Sequence, residues 1–304
     1  MSFARLQTRT RHSSAFTLVE LMIVIAIVGI LASLVTVGVM KAFERSKLVS
    51  ARIEISQLEA AVAAAKLDLG NVDELPSVIS LYYNNGNSLV GQLQYNANPA
   101  NIGTGPGKVT AQENQDALFS LNTLTKMFGK TFLNTANMPW LANLNSGNTK
   151  VTLSGMDALV FWLGGIKNNG TYSGFSTNKQ NPCDVAATKR KGPYYEFEAS
   201  RFDQTTGAYT NAWGGKFVYI SKSFYNYGPF DTVYAYRNND ISPKPANGYP
   251  ANFFYNPKTF QIISSGQDQT FGPGGYYQPP FTIGVPGYDD LSNFSSTILG
   301  KKDE

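Results

Sequence analysis

Residues 16–40 read FTLVELMIVIAIVGILASLVTVGVM, and Glu20 is the only charged residue among them. As a helix rising about 1.5 Å per residue, the stretch reaches about 37 Å, enough to cross a hydrocarbon layer about 30 Å thick with some tilt. The apolar core of a cleaved secretory signal spans only roughly 7–15 residues, so this longer run is expected to stay with the protein as a single membrane span. Residues 1–15, MSFARLQTRTRHSSA, are basic, acid-free and not apolar. Arg5, Arg9 and Arg11 ahead of the span place the N-terminus in the cytoplasm and the rest of the chain outside, although Lys41, Arg45 and Lys47 lie on the far side.

Glu20 is the informative residue. A carboxylate within the hydrocarbon region costs about 2.5–3.5 kcal/mol on insertion scales, so something is expected to compensate it. In a lone anchor it would snorkel to the nearby interface. In an assembly it would pair with the N-terminal amine of a neighbouring subunit and order the subunits axially.

Beyond the span, Leu48, Ala51, Ile55, Leu58, Val62, Ala65 and Leu69 step by three and four, the narrow stripe of a helix that packs on another surface. That surface is either the protein's own globular domain or a partner, and one helix can serve both. Gly70-Asn71 then supplies a stop. The chain thus divides into a leader (1–15), a transmembrane half-helix (16–40), an amphipathic half-helix (41–70) and a globular domain (71–304), with one helix of about 80 Å joining the middle two.

The segment Ala15-Phe16-Thr17-Leu18-Val19-Glu20, followed by LMIVIAIVGILASL, resembles the class III signal of type IV pilins and type II secretion pseudopilins. The resemblance implies that a prepilin peptidase cuts between Ala15 and Phe16 on the cytoplasmic side, that the new Phe16 amine is N-methylated, and that Glu20 serves assembly. Ala15 stands where the family usually has Gly. Two C-terminal stretches extend the likeness. Trp213-Gly214-Gly215-Lys216-Phe217-Val218-Tyr219 is similar to the tryptophan-glycine turn and strand of major pseudopilins. Ile263-Ser264-Ser265-Gly266-Gln267-Asp268, with Asp289-Asp290-Leu291-Ser292-Asn293, is similar to their C-terminal calcium loop, although Gly272 to Tyr288 separates the two acidic clusters here. Asp268, Asp289 and Asp290 are the candidate calcium ligands, and calcium suits them because it takes six to eight oxygens, mostly from carboxylates and carbonyls. The alternative is that these aspartates cap turns.

The globular part is expected to be α+β, pilin-like, with the long helix packed on a domain that contains an antiparallel sheet. Thr110 and Glu113 form a capping box for a helix through Ala117, Leu118, Leu121, Leu124 and Phe128, closed by Gly129. A second short helix runs over 157–163. Strands are expected at 194–197, 216–220, 232–236 and 260–263, and 72–109 reads as loop, with Asn84-Asn85-Gly86-Asn87 and a Gly103 to Gly107 stretch that lacks the residues of a phosphate loop.

Composition argues against an enzyme and against a nucleic-acid binder. The only histidine, His12, lies in the expected leader, which removes the usual base and any His-ligated metal from the mature chain. Glu196 and Glu198 are the only pair considered for two-carboxylate chemistry, and Cys183, the single cysteine, is read as a small buried or loop residue. The formal charge of +4 contains the three leader arginines, so no basic surface remains to bind nucleic acid, and Lys189-Arg190-Lys191 reads as a solvated turn. The Tyr-rich stretch Gly274-Gly275-Tyr276-Tyr277 suits a partner, a sugar or simple aromatic packing.

The function read from these residues and the resemblance is a pseudopilin that polymerises with itself and with minor pseudopilins into a periplasmic filament of a type II secretion system. Its further partners are the prepilin peptidase, the inner-membrane secretion platform and membrane lipid, and its place is the bacterial inner membrane, single-pass, with the C-terminal domain periplasmic. The alternatives are a type IV pilin for adhesion, motility or DNA uptake, and a membrane-tethered ligand- or carbohydrate-binding domain that never polymerises.

Overall fold

The computed structural model describes residues 17–82, 110–129, 150–168, 170–179, 181–238, 244–279 and 281–301. The chain divides into two units, Met1–Val49 and Ser50–Glu304. Helix α1, Leu18–Asp68, contributes to both. In the first unit its side chains lie exposed, with Leu18 at 74% and Leu34 at 67%, so this part buries its apolar surface against none of the described residues.

In the second unit α1 presents the face that the spacing predicts. Ala51, Ile55, Leu58, Val62, Ala65 and Leu69 are all buried, each large aliphatic among them contributing about 1.5–3 kcal/mol of transfer free energy. The helix ends where expected. Gly70 and Asn71 take φ of +110° and +51°, and the Val72 N–H turns back to the Lys66 carbonyl at 3.0 Å, satisfying an end carbonyl.

The rest of the unit is α+β. Strand β1, Val78–Tyr82, pairs antiparallel with β2, Lys150–Ser154. Helix α2, Ala111–Phe128, ends at Gly129, whose N–H reaches the Thr125 carbonyl, and its Ser120 Oγ accepts the Ser80 N–H at 3.0 Å. Helix α3, Met156–Gly164, is apolar nearly all round and accordingly buried, with only Asp157 exposed, and Trp162 Nε1 donates to the Pro76 carbonyl at 2.9 Å. Two short antiparallel pairs follow: β3 (Lys167–Asn168) with β4 (Thr171–Tyr172), and β5 (Phe175–Ser176) with β6 (Arg190–Lys191). The central sheet has three antiparallel strands in the order β11-β9-β7, from β7 (Phe217–Ser221), β9 (Phe260–Ser264) and β11 (Leu291–Ser292). Strand β8, Tyr234–Arg237, runs parallel to β10, Gly274–Tyr276.

Several expectations need correction. β1 occupies part of the stretch read as loop, because Val78-Ile79-Ser80-Leu81-Tyr82 finds its partner strand far along the chain and no local pattern shows it. The two loop motifs at 84–87 and 103–107 lie outside the described residues. Tyr194 to Phe197 forms no strand: its tyrosine hydroxyls bind α1 instead of its amides joining a ladder. Tyr194 OH donates to Asp68 Oδ2 at 2.6 Å and Tyr195 OH to Glu54 Oε1 at 3.2 Å. Nor is Lys189 to Lys191 a solvated turn. Arg190 lies in β6 and donates to the carbonyls of Asp184 and Val185, while Lys191 pairs with Asp68 at 3.3 Å.

Glu54 is the part of the helix face that the stripe does not include. It is buried, and it receives Arg201 Nη2 at 2.9 Å, Tyr209 OH at 2.9 Å and Tyr195 OH. Arg201 also lies 5.0 Å from the Tyr209 ring centroid, and its Nε donates to the Thr210 carbonyl at 2.8 Å. Burial and the Glu54 charge push the Tyr195 hydroxyl up to about 12. Removing one member of a buried ion pair leaves the other uncompensated, so Glu54→Ala is expected to cost about 3–5 kcal/mol in denaturant unfolding, and Glu54→Gln, which still accepts the tyrosine donors, less. Equal losses in the two variants would show that the charge contributes nothing.

Glu74 gives a second test. It is buried, its Oε2 accepts the Ser223 N–H at 3.3 Å and its Oε1 has no partner among the described residues; burial therefore raises its carboxyl above the ordinary range. A raised folded value favours the neutral form, so this group's contribution is full below about pH 4.5, the ordinary glutamate range, and falls as pH rises. Glu74→Gln should raise Tm at pH 7, with the gain closing towards pH 4. A gain of the same size at both pH values would contradict the assignment.

Candidate functional site

The first α1 turn is built by a reciprocal cap. The Thr17 N–H donates to Glu20 Oε2 at 2.9 Å, Thr17 Oγ1 donates to the same oxygen at 2.9 Å, and the Glu20 N–H donates to Thr17 Oγ1 at 3.2 Å. This is the Thr-x-x-Glu capping box, placed at a helix N-terminus where a carboxylate also meets the positive end of the helix dipole. The Thr17 and Glu20 spacing carries this box in the sequence itself. Glu20 is exposed, and both bonds to its carboxylate fall on one oxygen. Ala15 and Phe16 lie outside the described residues. α1 is the one helix among the described residues long and apolar enough to cross a membrane.

The prokaryotic N-terminal methylation motif matches residues 10–36. Over 58 residues the chain is 43% identical to the type II secretion system core protein G of Pseudomonas aeruginosa. This N-terminal segment is similar to that of the pilin and pseudopilin family. The matched part is 19% of this chain and 41% of that protein, so the chain spans about two-fifths of the curated relative's length. No solved structure matches the chain. The pilin-type segment and its exposed apolar helix make this a membrane-anchored protein.

At the other end of the chain, the tryptophan-glycine turn precedes β7 as the resemblance implies. Asn211 organises it: its Oδ1 accepts the N–H groups of Trp213 and Gly215, each at 2.9 Å, and its Nδ2 donates to Ser264 Oγ at 2.9 Å. Asp268 and the adjacent pair Asp289-Asp290, separated in sequence by Gly272 to Tyr288, come together beside this turn. Asp289 Oδ2 accepts the N–H groups of Gln267 and Asp268, the latter at 2.9 Å, and Asp290 Oδ2 accepts that of Gly272 at 2.9 Å. Asp268 Oδ1 accepts the Thr270 N–H at 2.7 Å. Gly266, at φ +60°, allows the approach, since a Cβ there would lie 2.4 Å from the Asp289 carbonyl oxygen.

Asp290 is fully buried, and its Oδ1 has no partner among the described residues; nor has the buried Tyr236 hydroxyl. Burial, with the Asp289 and Asp268 charges, lifts the Asp290 carboxyl to about 8. Among the described residues no group of three or more His, Cys, Asp or Glu side chains is arranged to hold a metal ion. The one feature here that favours a cation is the Asp290 oxygen with no partner among the described residues.

The residues considered for catalysis are not brought together. Cys183 is buried, and Glu196 and Glu198 are exposed on an irregular stretch rather than sharing one face of a strand.

Proposed function

We propose that the protein is a structural pseudopilin of a type II secretion system, assembling with copies of itself and with minor pseudopilins into a periplasmic filament. In this reading a prepilin peptidase cuts between Ala15 and Phe16, Phe16 is N-methylated, α1 anchors the subunit in the inner membrane with its N-terminus cytoplasmic, and the secretion platform receives it there. The observation that carries the reading is Glu20, the one charge of the exposed apolar stretch 18–40, inside a methylation motif that matches residues 10–36. Its cap with Thr17 fixes the carboxylate at the helix start through one oxygen, and the other is available to a donor from a neighbouring subunit's N-terminus.

Two measurements test this. The mature protein purified from its native membrane should begin with N-methyl-Phe16; an intact Met1, or a cut beyond residue 40, would contradict processing. Glu20→Ala should insert normally yet lose subunit cross-linking along the filament, whereas filaments of unchanged yield would remove Glu20 from assembly.

The aspartate loop is proposed to hold calcium through Asp268, Asp289 and Asp290. Millimolar calcium should raise Tm of the wild-type protein but not of Asp290→Ala, with magnesium much less effective because it demands a smaller octahedral shell. No shift with calcium would leave these carboxylates as turn caps alone.

A further inference from the structure

Tyr236, the third residue of β8, is buried, and its ring packs on Tyr277 and Phe294 with centroids 5.8 and 5.5 Å away. Its backbone is fixed by the buried Gln261 of β9: Gln261 Oε1 accepts the Tyr236 N–H at 2.7 Å, and Gln261 Nε2 donates to the Tyr236 carbonyl at 2.8 Å. Packing and these backbone bonds thus set where the hydroxyl lies, and there it has no partner among the described residues.

That place is the aspartate loop. A Cβ on Gly272 would lie 3.1 Å from the Tyr236 hydroxyl oxygen, and the Gly272 N–H is the donor that Asp290 Oδ2 accepts at 2.9 Å. Gly287 closes the same spot, where a Cβ would lie 2.6 Å from Gly272 Cα and 3.2 Å from Asp290 Oδ2. Burial first, and then the Asp290 charge, raise the Tyr236 hydroxyl above its ordinary range.

Around Gly272, then, two fully buried groups, the Asp290 carboxylate and the Tyr236 hydroxyl, each keep an oxygen without a partner among the described residues. A buried polar atom left unpaired costs about 1–3 kcal/mol, and native interiors resolve nearly every such case with a protein group, a water or an ion. A hydroxyl alone selects no ion. Beside a buried carboxylate, with Asp268 and Asp289 adding negative charge, the species that suits both oxygens is a cation that prefers hard oxygen ligands, and calcium accepts neutral oxygens together with carboxylates in an irregular shell. A water would serve the hydroxyl and leave the charge uncompensated. We propose that Tyr236 is a ligand of the cation at the aspartate loop, contributing a neutral oxygen from β8, a strand outside both acidic clusters. The inference rests on the reading of that loop as a calcium site and adds to it a residue that neither cluster contains. Through Tyr236 the cation ties β8 to the segments on both sides of β10.

The test is calorimetric titration of the full chain in detergent micelles with calcium chloride, paired with thermal unfolding in calcium and in a chelator, for the wild-type protein, Tyr236→Phe and Tyr277→Phe. Phenylalanine keeps the ring contacts of Tyr236 and removes only a hydroxyl that lacks a partner among the described residues, so in chelator Tm of Tyr236→Phe should not fall below that of the wild type. Its calcium affinity should be at least about tenfold weaker, and its gain in Tm with calcium smaller. Tyr277→Phe is the control: its hydroxyl donates to the Leu299 carbonyl at 3.0 Å, so this variant should lose Tm equally in both conditions and keep the wild-type calcium affinity. If the wild type binds calcium and Tyr236→Phe binds it equally well, the proposal falls while the calcium reading stands on the aspartates. If Tyr236→Phe lowers Tm by the same amount with and without calcium, the hydroxyl is a structural group and the proposal also falls. If the wild-type protein takes up no calcium, the proposal and the calcium reading fall together.

Discussion

A carboxylate buried on a helix face must be supplied with donors, and Glu54 takes its donors from residues 141 to 155 positions further along the chain. That requirement organises the stretch from β6 to Tyr209. Lys191 and Tyr194 meet Asp68 near the end of α1, and Tyr195, Arg201 and Tyr209 meet Glu54 nearer its middle, so this stretch is fastened to the helix at two places. The aromatic rings of Tyr195, Phe197, Phe202 and Tyr209 then pack edge to face around the pair and exclude water from it. Further along the chain, Asn293 donates to Glu59 at 2.8 Å and ties the residues after β11 to the same helix.

The two carboxylates of α1 illustrate opposite solutions to one problem. Glu54 is enclosed by protein and satisfied by a cation and two hydroxyls. Glu20 sits on an exposed apolar stretch and, among the described residues, is satisfied locally by the residue that starts its own helix. A group satisfied within its domain serves stability, whereas a group left on an apolar surface with an oxygen to spare is suited to assembly. The aspartate loop lies between these cases: its amides are satisfied, and one buried carboxylate oxygen is not.

Much of the fold was legible in local pattern. The apolar run from Phe16 to Met40, the three-four stripe from Ala51 to Leu69, the Gly70-Asn71 stop, α2, α3 and the strands near 217, 234 and 260 follow from period, caps and turn residues. β1 did not, because a strand is recognised by its partner and that partner lies beyond α2. The tyrosines at 194 and 195 carry a strand-like composition, yet their hydroxyls find acceptors on α1, and composition does not record where a hydroxyl ends. Glu54 also escaped notice, although Ala51, Glu54, Leu58, Ala61 and Ala65 form a second three-four series beside the stripe; an acid on a helix reads as solvent-facing until its cation is located in space.

The sequence by itself determined that this chain has an apolar helix with one carboxylate near its start and a packing face beyond it, because helical period, length and the cost of a charge in hydrocarbon are local properties. Tertiary structure alone decided that Asp268 meets Asp289 and Asp290 across the Gly272 to Tyr288 stretch, that Arg201 meets Glu54, and that the Tyr236 hydroxyl reaches the loop that Asp290 holds. Each of these juxtapositions closes a loop between segments with no periodic relation, and only the packing of the whole domain fixes which segments come together.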